Sequence, residues 1–208
     1  MAKNKKTVAF IGAHADDIEL GAGLAIQKFA KTHDILIIIC SSQGKNRLKE
    51  LKNSLNELIE NCNIYILPLD ENTIYEHIGT LAQYLDKIVP KNTEYIFTHN
   101  QHQTHQDHKA VSTATLTLAR RIPNVLLWET VSPSEINLSS FNPQAFISGD
   151  MDKKIKAIQC HKSQVKRYSP QWIDAIKGLG ALRAIQFDMY NGSGYLEAFE
   201  IVKTIIEE

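Results

Sequence analysis

The chain has 208 residues, with 23 Lys plus Arg against 23 Asp plus Glu, so it lacks the basic excess that phosphate-backbone binding demands and nucleic acid is excluded as the expected partner. At this length one hydrophobic core is expected, and with it one domain over residues 1–208. The charged start Met1-Ala2-Lys3-Asn4-Lys5-Lys6 precedes an apolar run of strand length only, too short for a signal segment or a membrane span, so a soluble cytoplasmic protein is expected.

Apolar runs of strand length follow one another at Thr7 to Gly12, Ile35 to Cys40, Ile64 to Leu67, Glu94 to Thr98 and Val125 to Trp128. Segments with apolar residues recurring at three and four predict helices at Ile18 to Lys31, Arg47 to Glu60, Thr73 to Val89 and Gln106 to Arg121. This alternation predicts an α/β fold with a mostly parallel sheet. Beyond Pro123 the rhythm loosens, punctuated by Ser132-Pro133, Asn142-Pro143 and Ser169-Pro170, with helices predicted near Asp152 to His161, Trp172 to Gln186 and Leu196 to Glu207. This last portion is expected to shape the substrate pocket. Cys40, Cys62 and Cys160 form no C-x-x-C pair and read as small buried thiols without a role.

Two polar clusters carry the chemistry. Ala13-His14-Ala15-Asp16-Asp17 lies at the carboxyl end of the first strand, where an open α/β sheet forms its ligand crevice. His105-Gln106-Asp107-His108 opens the fourth helix. A hydrolytic zinc site uses three protein ligands and leaves one position open, and His14, Asp17 and His108 supply such a set. Asp16 is expected to point elsewhere and stay free, which makes it a candidate general base for the attacking water and proton donor to a leaving nitrogen. His105 shares a helix face with His108, and a protonated imidazole there would stabilise an oxyanion, with Asp107 as its partner or merely as a helix cap. Asp16 and Asp17 would also suit a helix N-terminus on electrostatic grounds alone, and His99 to His108 at three-residue intervals would also suit a loose metal-binding tract. Taken alone, His99, His102, His33 and His77 read as ordinary histidines. Gly21-Ala22-Gly23 reads as a site of close helix–sheet packing, and Gly178-Leu179-Gly180 as no phosphate loop.

Ala13-His14-Ala15-Asp16-Asp17-Ile18-Glu19-Leu20-Gly21-Ala22-Gly23 resembles the Ala-His-Pro-Asp-Asp and Glu-Xaa-Gly-Xaa-Gly stretch of the LmbE/PIG-L-like zinc-dependent de-N-acetylases, and His105-Gln106-Asp107-His108 is similar to their His-Pro-Asp-His motif. Weaker echoes occur at Arg47-Leu48-Lys49-Glu50, Lys156-Ala157 with His161-Lys162-Ser163-Gln164, and Tyr195 to Phe199. The resemblance implies a Rossmann-like three-layer α/β/α sandwich with the metal site at the carboxyl ends of the strands. It implies zinc ligation by His14, Asp17 and His108, a general base at Asp16, oxyanion stabilisation by His105 supported by Asp107, and substrate contact by Arg47. Ala15 and Gln106 replace structural prolines, and Lys45 stands where many members carry a sugar-contacting glutamate.

The expected activity is zinc-dependent hydrolysis of an N-acetylated amino sugar, such as an N-acetylglucosamine conjugate, to acetate and free amine. Iron(II) or another divalent metal would suit the same ligands. Two rivals stand beside this reading: the same mechanism on a non-sugar N-acyl metabolite, and a non-catalytic sugar- or metal-binding module. The partner is a small molecule, and a homo-oligomer stays open. The sugar scaffold, pathway, physiological metal and the role of His161 are not legible in the sequence.

Overall fold

The computed structural model describes residues 5–132, 140–169, 171–187 and 194–205. In chain order the elements are β1 (Thr7–Gly12), α1 (Asp17–Phe29), β2 (Asp34–Ser41), α2 (Lys45–Leu58), β3 (Asn63–Leu69), α3 (Ile78–Ile88), β4 (Thr93–His99), α4 (Gln106–Leu116), β5 (Asn124–Trp128), β6 (Ala145–Ser148), α5 (Met151–Cys160), α6 (Lys162–Val165), α7 (Gln171–Gln186) and β7 (Leu196–Lys203). Short 3-10 turns, Ile74–His77 and Thr117–Arg120, precede α3 and follow α4.

The strands form one sheet in the order β3-β2-β1-β4-β5-β7-β6. Its first five members are parallel, and β7 runs antiparallel to both β5 and β6. Because side chains alternate across a strand, β1 and β2 feed both faces. Ala9, Ile11, Leu36 and Ile38 pack with Leu81 and Leu85 of α3 and Val111 and Ala114 of α4. Val8, Phe10, Ile35 and Ile37 pack on the other face with Ile18 and Ile26 of α1 and Leu51 and Leu55 of α2. The result is the expected three-layer sandwich with a mostly parallel sheet. The close packing read from Gly21-Ala22-Gly23 is also present, since a Cβ on Gly21 would lie 2.3 Å from the Trp128 ring.

One predicted element is wrong. Leu196 to Glu207 was expected to be helical, but Leu196–Lys203 is the strand β7, and β6 has no counterpart among the predicted elements. The apolar spacing of Leu196, Phe199 and Val202 satisfies a helical stripe, but strand pairing on both sides decides the outcome. A local demand adds to this. Helix α1 is broken at Ala22 (φ −143°, ψ 26°). The Glu197 carboxylate accepts from the freed Leu24 and Ala25 amides at 2.8 and 2.9 Å, and Lys154 Nζ donates to both Leu20 O and Glu197 at 2.7 Å. Buried backbone groups need such partners, and a strand aims Glu197 at the break.

The thiol expectation holds for Cys40, which is buried, while Cys62 and Cys160 are only partly so. Expected features at residues 1–4, Pro133, Pro170 and Ile206 to Glu207 lie outside the described residues. Among the described residues, no helix is long and apolar enough to cross a membrane.

Candidate metal centre and active site

Between β1 and β4 the chain order reverses, β2 and β3 lying to one side and β5 to the other. Loops leaving such neighbours diverge and open a crevice at the carboxyl ends of the strands. The β1–α1 loop brings His14, Asp16 and Asp17 into it, and the β4–α4 segment brings His99, His105 and His108. The pocket there has a volume of about 410 Å³.

Three of the predicted residues meet in a triangle. His14 Nδ1 lies 3.3 Å from His108 Nε2, His14 Nδ1 lies 3.4 Å from Asp17 Oδ2, and His108 Nε2 lies 3.4 Å from Asp17 Oδ1. Donors so spaced can share one tetrahedral ion at bond lengths of about 2.0–2.1 Å. Two overlapping sets of donors also lie within 4.8 Å: His14, His105 and His108, and Asp17, His99 and His108.

The outer partners orient these rings. His108 Nδ1 donates to Gln103 Oε1, which leaves the Nε2 lone pair facing the triangle. His14 Nε2 donates to Asp107 Oδ2 at 3.3 Å, which leaves Nδ1 facing the triangle. Histidines that bind metals are commonly held in this way by a carboxylate or carbonyl behind them. The donor chemistry therefore fits a divalent cation.

Asp107 was expected to partner His105, but its carboxylate serves His14 instead. It also accepts from the Asn72 amide at 2.6 Å and the Ile74 amide at 3.1 Å, tying α4 to the loop after β3. His105 instead caps α4, its Nδ1 accepting from Asp107 N at 3.3 Å. Burial, then the neighbouring His108 and His14, push the His105 pKa down to about 4. With Nδ1 accepting that amide, a neutral His105 imidazole carries its proton on Nε2.

The adjacent carboxylates diverge. Burial raises Asp17, but the charges of His108, His99 and His14 outweigh it and hold Asp17 well below the usual carboxylate range. Burial and the Asp17 charge raise Asp16, against the pull of Arg47. Asp16, expected to stay free of the ligand set, is held by Arg47, whose Nη2 donates to its Oδ1 at 2.6 Å. Burial lowers the His14 pKa, but the Asp17 charge and hydrogen bonds to Asp107 and Asp17 outweigh it and raise it to about 10.

His99 is more than an ordinary histidine. Fully buried, it accepts the Ala13 amide on Nε2 at 3.1 Å, lies 3.2 Å from Asp17 Oδ2 and stacks on His108. His102, by contrast, is exposed. His161 forms a buried pair with Glu19 at 3.1 Å behind the first turn of α1. Sequence reasoning missed Gln103 and Glu71. Gln103 carries no motif, and Glu71 reaches the pocket from the loop after β3, where Gln43 Nε2 donates to it at 3.0 Å. The far flank is formed by Leu20, Val131, Tyr168 and Trp172, from the chain's expected pocket-shaping portion and α1.

Comparison with known proteins agrees with this architecture. The chain is 29% identical over 177 residues to the uncharacterized deacetylase YaiS of Escherichia coli K12, covering 78% of this chain and 94% of the relative. Its fold is similar to the conserved protein TT1542 from Thermus thermophilus, with a TM-score of 0.76 at 19% identity over 98% of this chain and 97% of that one. It is also similar to N,N'-diacetylchitobiose deacetylase from Pyrococcus horikoshii, with a TM-score of 0.72 at 18% identity, covering 96% of this chain and 84% of that one. A third similar structure is the zinc-inhibited form of teicoplanin deacetylase Orf2, with a TM-score of 0.69 at 16% identity over 97% of this chain and all of that one. The family model for PIG-L, the GlcNAc-PI de-N-acetylases, matches residues 9–119, more than half of the chain and a span that includes both polar clusters, so the chain belongs to that family.

Proposed function

We propose that this chain is a divalent-metal-dependent N-deacetylase that hydrolyses an N-acetylated amino sugar or sugar conjugate to acetate and a free amine, its 208 residues acting as one domain. The observation that carries the reading is the convergence of His14, Asp17 and His108 to 3.3–3.4 Å beside a carboxylate, Asp16, that lies outside the triangle. His14, Asp17 and His108 would hold the ion, and two imidazoles with one carboxylate suit zinc, with iron(II) the nearest alternative. A bound cation supplies Lewis acidity, polarising the acetyl carbonyl and easing deprotonation of water.

Every other step falls to the protein. Asp16, its pKa raised by burial, takes the proton from the attacking water and returns it to the departing nitrogen. Arg47 keeps Asp16 oriented through the 2.6 Å contact. His105 donates Nε2–H to the developing oxyanion as a neutral imidazole, its tautomer set by the amide bonded to Nδ1. Asp107 and Gln103 orient His14 and His108. Arg47 and Glu71 flank the pocket with groups suited to sugar hydroxyls. The similar structure that acts on N,N'-diacetylchitobiose supports an acetylated sugar as the substrate.

The test is acetate release from a panel of N-acetylated amino sugars and glycosides by the protein as purified, after chelation, and after zinc is added back. Release that is lost on chelation and restored by zinc is expected. No release from fully metallated protein overturns the proposal.

A further inference from the structure

The proposed reaction has a direction across the pocket, which the strand order sets. Asp16, Arg47 and Glu71 lie toward β2 and β3, while Val131 follows β5 and Trp172 opens α7. If Asp16 protonates the leaving nitrogen, the amine and its sugar lie on the β2–β3 side. In the same reading the carbonyl oxygen would face His105, whose Nε2–H would be its donor. The remaining substituent of the reacting carbon, the acyl chain, then points toward β5.

That side of the pocket carries an apolar wall, beside which Thr130, Ser132, Gln164 and Arg167 also reach the pocket. Leu20 and Trp172 belong to one buried cluster against which Val131 and Tyr168 pack. Trp172 Nε1 donates to Val131 O at 2.8 Å, and Tyr168 lies on the Trp172 ring with centroids 4.6 Å apart, so the wall is locked by a hydrogen bond and a ring contact. Leu20 and Val131 also line a second, much smaller cavity of about 20 Å³, bounded further by Met151 and Ile176 and by the ion-paired side chains of Glu129, Lys154 and Glu197. That volume is about what one water molecule needs, close to the size of a methyl group. The two side chains thus stand between the reaction pocket and a space of about one methyl.

We propose that Leu20 and Val131 close the acyl side of the pocket at acetyl and determine which acyl length this chain removes. The proposal rests on the N-deacetylase reading and adds to it the two residues that set acyl length, longer N-acyl amines being rejected by contact with Leu20 and Val131. In each case water adds to the acyl carbon, the C–N bond breaks, and the products are a carboxylate and the free amine.

The experiment measures free-amine release from N-acetyl-, N-propionyl- and N-butyryl-glucosamine by the zinc-loaded parent, Val131→Ala and Leu20→Val. One surplus methylene in a closed apolar pocket costs roughly 10–200-fold in kcat/KM, so the parent is expected to favour acetyl over propionyl by at least about tenfold. Either variant should bring the propionyl-to-acetyl ratio to within a few-fold of unity and leave butyryl poor, because the space behind holds about one methyl. The ratio is internal to each protein, so partial loss of folded material does not alter it. A parent that cleaves all three equally, or variants that cleave acetyl with the parental ratio, overturn this assignment and leave the deacetylase reading standing. Failure of the parent to release amine from any of the three overturns both.

Discussion

Arg47 Nη2 sits 2.6 Å from Asp16 Oδ1, and Arg47 Nη1 lies 3.9 Å from Glu71, so one guanidinium joins the proposed base to the polar flank of the pocket. Arg47 opposes the rise in the Asp16 pKa that burial and Asp17 cause. Arg47→Ala should therefore raise that pKa further, leave Asp16 protonated to higher pH, and move the acidic limb of the kcat/KM profile upward. A pH–rate profile with an unmoved acidic limb would show that the two groups are not coupled in the working enzyme.

Asp16→Asn should lower kcat by about 10²–10⁴-fold, the usual contribution of a general acid–base, while the purified protein keeps its metal. His108→Ala should lose the metal instead. Metal content by elemental analysis beside turnover separates the two, and an Asp16→Asn protein of full activity would remove Asp16 from the mechanism.

The Gln103 contact behind His108 is a finding of the fold. Gln103→Leu removes the acceptor for His108 Nδ1 and should weaken metal binding by about 10–100-fold, with a similar loss for Asp107→Asn behind His14. Competition against a chromogenic chelator reads both.

Removal of the metal should make stability depend on pH in a stated direction. His14 is raised to about 10 in the folded chain, so its protonation contributes stability that is fully present below about 6.5 and is lost as pH rises through about 10. The melting temperature of metal-free protein should fall across that window. Zinc should largely abolish the slope, since it replaces the proton, and its binding should release about one proton near pH 8. Melting curves with and without chelator, and calorimetry in two buffers of different ionisation enthalpy, check this.

Glu197→Ala should destabilise the fold by about 3–5 kcal/mol, because it leaves Lys154 as an unpaired buried charge and strips two α1 amides of their acceptor. Denaturant unfolding measures the loss. A change below about 1 kcal/mol would show that water takes over the role of the carboxylate.

The alternation of strands and helices, the two polar clusters and their order were legible in the residues because they depend on local periodicity and on short motifs. Each of the first five strands and the helices between them lies within a few residues of its predicted bounds, since apolar runs and helical stripes are properties of neighbours in the chain. The strand at Leu196–Lys203 was not legible, because its spacing serves either element and only pairing with β5 and β6 decides. The same holds in the site. His14, Asp17 and His108 could be named from residue type and spacing, whereas Gln103 behind His108, Asp107 behind His14 rather than His105, and Glu71 beside Arg47 depend on which strands the sheet sets side by side. Ligand identity is a matter of side-chain chemistry, which the chain carries in its residues. Orientation, protonation and the two walls of the pocket arise from burial and from contacts between segments far apart in the chain, and those exist only once the sheet has formed.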